Sequence, residues 1–318
     1  MIGGIPNVLT IDVEDYFQVS AFESISPPET WGSRESRVES NTLRILDILS
    51  EAAVKATFFV LGWVADRFPG LVRRISDAGH EVAAHGYGHR RVYQQTRSDF
   101  RQDVRRGKTL LEDLAGRDVL GYRAPSYSIS QSCLWAFDEL FEAGFSYDSS
   151  VFPIRHDLYG MPFWPRFPFV IERLEGEGQG NWVPVETRGS RGSGGVSPSL
   201  IEVPITTLRL FGSNWPIAGG GYFRLFPFAL TLWGLRRINS AEGKPFVFYI
   251  HPWELDPLQP RMGGAGFRSR FRHYVNLGRT EGRFRRLLAS FSFGPLRDVL
   301  GISPCGSGRG SVLPHPLP

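Results

Sequence analysis

At 318 residues, 42% of them hydrophobic and 21% charged, the chain has the size and apolar content of one large or two modest globular domains, which excludes a disordered chain and a coiled coil. Its longest apolar stretch, Ala53 to Ala65, is broken by Lys55 and Thr57 and falls short of the roughly 20 residues that cross a bilayer, so no membrane anchor is expected. The net charge is only +4, and a pI of 9.2 reflects a basic complement that is almost all Arg, much of it between Arg261 and Arg286.

The first 150 residues alternate strand-like and helical patterns, the signature of a β/α architecture with a mainly parallel sheet. Val8 to Ile11 reads as a first buried strand. Asn41 or Thr42 is positioned to cap a helix through Leu43, Ile45, Leu46, Ile48 and Leu49. A strand over Ala56–Leu61, a helix from Pro69 that ends at Gly79, and a strand over Glu81–Ala84 follow. A charged helix runs from about Ser98 to Leu114, Gly121-Tyr122-Arg123 is the next strand end, and Phe246–Ile250 is the last core strand. Between about 153 and 228 Pro and Gly are frequent and no helix of useful length is expected. Residues 176–199 read as a flexible insertion that interrupts the fold without adding a domain, and 303–318 as a disordered tail. One α/β domain over 1–300, with a C-terminal extension from about 255, is the expected organisation. The N-terminus carries no secretory pattern, and Cys133 and Cys305 read as two reduced thiols, so a cytoplasmic location is expected.

Polar clusters fall just past the strand ends, where parallel α/β folds build their sites. Asp12, Glu14 and Asp15 are crowded carboxylates that need a cation or a base beside them, unless they merely favour a helix dipole. His85 and His89 have the i, i+4 spacing that lets two imidazoles meet one metal, and with one carboxylate they leave positions open for water. Arg123 can reach the acidic cluster from its strand end; Asp148, in Tyr147-Asp148-Ser149-Ser150, is by itself an ordinary turn cap; His251 is a core histidine or an acid–base group. His80 and His315 read as uninvolved, whereas His156 and His273 are candidates for a substrate groove. Trp164, Trp215, Tyr222 and Trp253 lie in loops, where core packing explains most aromatics.

The ordered set Asp12-Val13-Glu14-Asp15, His85-Gly86-Tyr87-Gly88-His89, Arg123-Ala124-Pro125-Ser126, Asp148 and Ile250-His251 resembles the five motifs of the polysaccharide deacetylase (carbohydrate esterase family 4, NodB-homology) superfamily, over about residues 6 to 255. The segments Gly219–Leu225 and His251–Glu254 look most like its exosortase- and exopolysaccharide-locus members. The resemblance implies an α/β fold, a distorted (β/α)7 barrel with a loop-rich C-terminal extension, and hydrolysis of N-acetyl groups on amino sugars. It implies Asp12 as general base, Arg123 as the partner that keeps Asp12 ionised, and His85, His89 and one carboxylate as ligands of a divalent ion, zinc by preference. A backbone N–H near Ser126 would meet the oxyanion, and His251 would be the general acid, oriented by Asp148. Most relatives have two adjacent Asp followed by Gly in the first motif. Here an extended backbone favours Glu14 as the metal carboxylate, and a turn right after Asp12 would select Asp15 instead.

The implied partners are an N-acetylated glycan or a lipid-linked saccharide and no nucleic acid, with peripheral association to a polysaccharide-synthesis complex at the inner face of the membrane. The Arg261–Arg286 run is the candidate docking face for an acidic membrane or an anionic glycan. Two other readings stand beside this one: a metal-independent, allantoinase-like amidase, and a non-catalytic glycan-binding member of an assembly complex.

Overall fold

The computed structural model describes residues 5–156, 159–174, 180–185 and 198–302. The strands are β1 (Asn7–Val13), β2 (Thr57–Val60), β3 (Glu81–Ala84), β4 (Gly121–Tyr122), β5 (Tyr147–Asp148), β6 (Phe169–Arg173), β7 (Trp182–Val185), β8 (Ser199–Glu202), β9 (Thr207–Leu210), β10 (Ser213–Pro216), β11 (Val247–Ile250) and β12 (Phe293–Gly294). The main sheet follows the order β11-β1-β2-β3-β4-β5-β8, all parallel, and continues into antiparallel β6 and β7. A hydrogen bond from Val247 N–H to Thr206 Oγ1 (2.7 Å) bridges the seam between the β8 end and β11. This is the expected α/β architecture.

Side-chain alternation along these strands decides what faces the barrel interior. Val8, Phe59, Ala83, Tyr147, Ile201 and Val247 belong to the inner cluster, whereas Leu9, Ile11, Phe58, Val82 and Phe248 pack outward under the helices. Carried to the strand ends, that parity turns Asp12, His85, Arg123, Ser149 and His251 inward and sends Asp148 outward. The site is thus assembled from period-2 geometry before any loop contributes.

The helices follow their sequence signals closely, with one correction. The helix expected after Asn41 or Thr42 starts earlier, at Val38, and both residues are buried inside it. Its N-terminus is capped from a distance by Asp15, whose Oδ2 accepts from Arg37 N–H (2.8 Å), Val38 N–H (3.1 Å) and Ser36 Oγ (2.6 Å). The helix Arg97–Ala115 has Thr96 as N-cap and ends at Gly116, whose φ of 63° is the left-handed stop that glycine suits.

Two other expectations change. Trp182–Val185, inside the expected insertion 176–199, is strand β7 and pairs with β6; residues 186–197 and the tail 303–318, with Cys305 and His315, lie outside the described residues. Phe246–Ile250 is not the last strand. β12 pairs with β1 near its start, and Leu296 and Leu300 behind it close the lower end of the barrel, where Leu296 N–H donates to Thr57 Oγ1 (2.7 Å).

Candidate active site

Arg123 is fully buried and held from several sides. Its Nη1 donates to Asp12 Oδ1 (2.6 Å) and Thr10 Oγ1 (2.8 Å), and its Nη2 donates to Ser149 Oγ (2.9 Å). The guanidinium carbon lies 4.1 Å from the centre of the Phe59 ring. Burial opposes the charge on Arg123, but Asp12 more than restores it and raises the pKa. The other oxygen of Asp12 faces His251 Nε2 at 3.9 Å.

Glu14, His85 and His89 bring ligand atoms within 4.8 Å of one another. The chain turns tightly at the end of β1, with Glu14 N–H on Asp12 O (3.1 Å), which keeps Glu14 beside Asp12. His85 Nδ1 lies 2.8 Å from Arg123 O, so that contact fixes Nδ1 as the protonated nitrogen and leaves the Nε2 lone pair free. Burial pushes the His85 pKa down to about 4, which keeps the ring neutral. Burial would raise Glu14, but His89 and His251 outweigh it and hold the carboxyl at about 2. Two imidazoles and one carboxylate with converging ligand atoms make a donor set that fits a divalent cation.

Asp15 is excluded from that cluster because its carboxylate is engaged at the helix N-terminus. We expect Asp15→Ala to lower stability by about 2 kcal/mol, through the lost cap and the donors left unpaired, while metal content stays unchanged. Chemical denaturation combined with metal analysis checks this; loss of the metal would return Asp15 to the ligand set.

One expectation about the site is corrected: the carboxylate behind His251 is not Asp148. Asp148 points outward, accepts from Ser150 N–H (2.9 Å) and Ser150 Oγ (2.7 Å), and neighbours Glu202, which burial and Asp148 together keep protonated. The partner of His251 is Glu254, three residues on, whose Oε1 meets His251 Nδ1 at 2.7 Å and accepts the His251 N–H at 3.0 Å. Glu254 is itself fixed by Arg224 Nε (2.6 Å). Burial opposes protonation of His251, yet Glu14, Glu254 and Asp12 together raise it to about 9. Glu254 is held at about 2: burial works against this, and Arg224 and His251 overcome it.

The sequence reading missed this Glu254–Arg224 support. A signal was present, since His251-Pro252-Trp253-Glu254 has the spacing of a capping box, which the structure forms over Pro252–Leu255. The Gly219–Gly221 run is also explained: Gly219 has φ 124°, and a Cβ there would sit 2.0 Å from Tyr249 O, so only glycine permits the bridge to β11.

Around these groups lies an open pocket of about 230 Å³, with Asp12, His85, His89, Ser126, Tyr159 and His251 among its walls. His273 also lines it, stacked on Trp253 at 4.2 Å, whereas His156 stacks on Tyr159 behind the wall. Ser126 and Tyr127 both have positive φ (55° and 53°), a local strain of the kind found where a backbone is presented to a ligand.

Comparison with known proteins gives three findings. Residues 30–140 match the polysaccharide deacetylase family, and residues 149–301 match a domain of unknown function, DUF3473. Over 101 residues the chain is 36% identical to a peptidoglycan-N-acetylglucosamine deacetylase of Bacillus cereus (31% of this chain, 37% of that one). Over 164 residues it is 27% identical to a peptidoglycan deacetylase of Helicobacter pylori (51% of each). The chain therefore spans about a third to a half of the length of these relatives. The crystal structure of a "putative polysaccharide deacetylase" from Mycobacterium smegmatis superposes with a TM-score of 0.52 at 22% identity, over 92% of this chain and 87% of that one, which establishes the shared fold. The first match contains His85, His89 and Arg123, while Asp12 and Glu14 precede it and His251, Glu254 and Arg224 fall in the second.

Proposed function

We propose that this chain, whose residues 30–140 match the polysaccharide deacetylase family, is a metal-dependent hydrolase that removes N-acetyl groups from amino sugars of an exopolysaccharide or its lipid-linked precursor. The observation that carries this reading is the cluster of Glu14, His85 and His89 directly beside the Asp12–Arg123 pair and His251. The intact His pair argues against a metal-independent amidase, and the complete set of acid, base and ligands argues against a purely glycan-binding role.

Glu14, His85 and His89 would hold the ion, which when bound acidifies water and polarises an acetamide carbonyl. Asp12 accepts the proton of the attacking water, and Arg123, donating to its Oδ1 (2.6 Å), holds the carboxylate in place. The oxyanion needs a donor on the Ser126 turn. Ala124 N–H is taken by Ser150 Oγ, Pro125 has none, and Tyr127 N–H is taken by Ala124 O, which leaves Ser126 N–H. His251, protonated through its three carboxylate neighbours, gives the Nε2 proton to the departing amine, and acetate and a free amino sugar result.

His85→Ala is expected to abolish metal content and acetate release from N-acetylated oligosaccharide together, and added Zn²⁺ should restore activity only to chelated wild-type protein. Chelator-insensitive turnover would end the metal reading.

No helix among the described residues is long and apolar enough to cross a membrane. A specific surface nevertheless supports peripheral association with an anionic bilayer. The helix Phe267–Tyr274 exposes Phe267 (84%) and Phe271 beside exposed Arg268 and Arg270, and its Arg272 and His273 line the catalytic pocket. We expect co-sedimentation with phosphatidylglycerol vesicles that Phe267→Ser/Phe271→Ser removes; protein that stays in the supernatant would refute it.

A further inference from the structure

We propose that an open groove of about 1070 Å³ next to the catalytic pocket binds an anionic glycan strand, one whose sugars carry carboxylates, and so selects uronate-bearing polymers as substrates. The inference rests on the deacetylase reading and adds the substrate class to it.

One wall is formed by Pro153–Arg155 and Pro162–Phe167, and the other is the hairpin β9–β10. The hairpin turns on Phe211 and Gly212, whose φ values of 50° and 76° are the consecutive positive pair that a tight two-residue turn requires. Asn214 Nδ2 donates to Pro153 O (2.8 Å), and Arg166 donates to Thr207 Oγ1 (3.2 Å) and Thr207 O (2.5 Å), so the two walls are tied together before any ligand arrives.

The lining is aromatic and cationic. Phe163 is 87% and Trp215 53% exposed, with Trp164 and Tyr222 nearby, and such ring faces match the C–H faces of pyranoses. Arg155, Arg166 and Arg209 line the groove, and among the described residues no Asp or Glu does. Glu242 neutralises Arg166 (2.7 Å), whereas Arg155 and Arg209 have no carboxylate partner among the described residues. Two guanidiniums with no carboxylate partner among the described residues, set beside exposed rings, complement sugar carboxylates, which guanidinium binds in a fork.

The groove adjoins the catalytic pocket at neighbouring residues Gly221 and Tyr222. Tyr222 belongs to the groove and hydrogen-bonds Tyr159, which lines the pocket along with Gly221. A strand lying over Trp215 and Phe163 would lead across this tyrosine pair to Asp12 and His251. At the far wall of the pocket, exposed Arg272 offers another cation to the same chain.

The test compares two octasaccharides by calorimetry: one alternating glucuronate with N-acetylglucosamine, the other neutral chitooctaose. The charged ligand should bind at least about tenfold more tightly, with the difference shrinking at high salt. Arg155→Gln/Arg209→Gln should remove that preference, Trp215→Ala should weaken both ligands, and acetate release from a short N-acetylated disaccharide should stay unchanged. Equal binding of the two ligands, or a double variant that keeps the preference, overturns the proposal. So does equal, arginine-dependent binding of single-stranded DNA or phosphatidylglycerol vesicles, which would mark a general polyanion face. Arginine-dependent binding of the charged strand without acetate release from any glycan supports the groove and sinks the deacetylase reading, whereas disaccharide turnover without the charge preference does the reverse.

Discussion

Asp12→Asn should keep its full complement of metal and lose acetate release by about 10²- to 10⁴-fold, the range for removing a general base. The expectation follows from how the two carboxylates at the end of β1 divide their work. Glu14 joins His85 and His89, whereas Asp12 gives one oxygen to Arg123 Nη1 (2.6 Å) and turns the other toward His251. Asparagine keeps the shape and can still accept from Arg123, but it cannot take a proton from water. It also leaves a fully buried guanidinium without its countercharge, so stability should fall by a few kcal/mol, and activity must be read at a temperature where the variant remains folded. Metal analysis and acetate assay on one preparation decide the matter. Metal lost along with activity would make Asp12 a ligand and move the base elsewhere.

That division was only partly legible in the sequence. The apolar runs before Asp12, His85 and His251 were strong enough to mark strands, and period-2 parity then settles which way each following residue faces. Glu14 and Asp15 lie beyond the strand, where parity stops. What separated them was the start of a helix more than twenty residues later, whose free N–H groups needed an acceptor. Asp148 went wrong for a related reason: β5 is two residues long, too short to display alternation, so nothing local showed that Tyr147 takes the inner face and Asp148 the outer. Strands β6 to β10 were hidden because their stretch is broken by Pro and Gly and they run partly on the surface, where β pattern is weak. The groove they build could not have been foreseen from composition, since its arginines and aromatics are scattered over some seventy residues.

Glu254→Gln is the sharper probe of the acid side, because the sequence pointed to Asp148 and the structure points to Glu254. His251 must be protonated to act as an acid, so activity falls at high pH as the imidazole loses its proton. Burial works to lower its pKa, and Glu14, Glu254 and Asp12 bring it up to about 9. Removing the Glu254 charge therefore lowers the pKa and moves the alkaline limb of kcat/KM to lower pH, with kcat at neutral pH down by about 10- to 100-fold as the ring loses its anchor. Asp148→Asn should leave that limb in place, and a shift with Asp148→Asn but not with Glu254→Gln would reinstate Asp148. Stability supplies an independent reading. The folded-state pKa of Glu254, about 2, lies below the ordinary 4.5, so its contribution is present above pH 4.5 and is lost as pH falls through 2. For a carboxylate this deeply buried the contribution is on the order of 3 kcal/mol. Glu254→Gln should thus melt lower at neutral pH and lose less than wild type between pH 4.5 and 2, a signature that a role in catalysis alone would not produce.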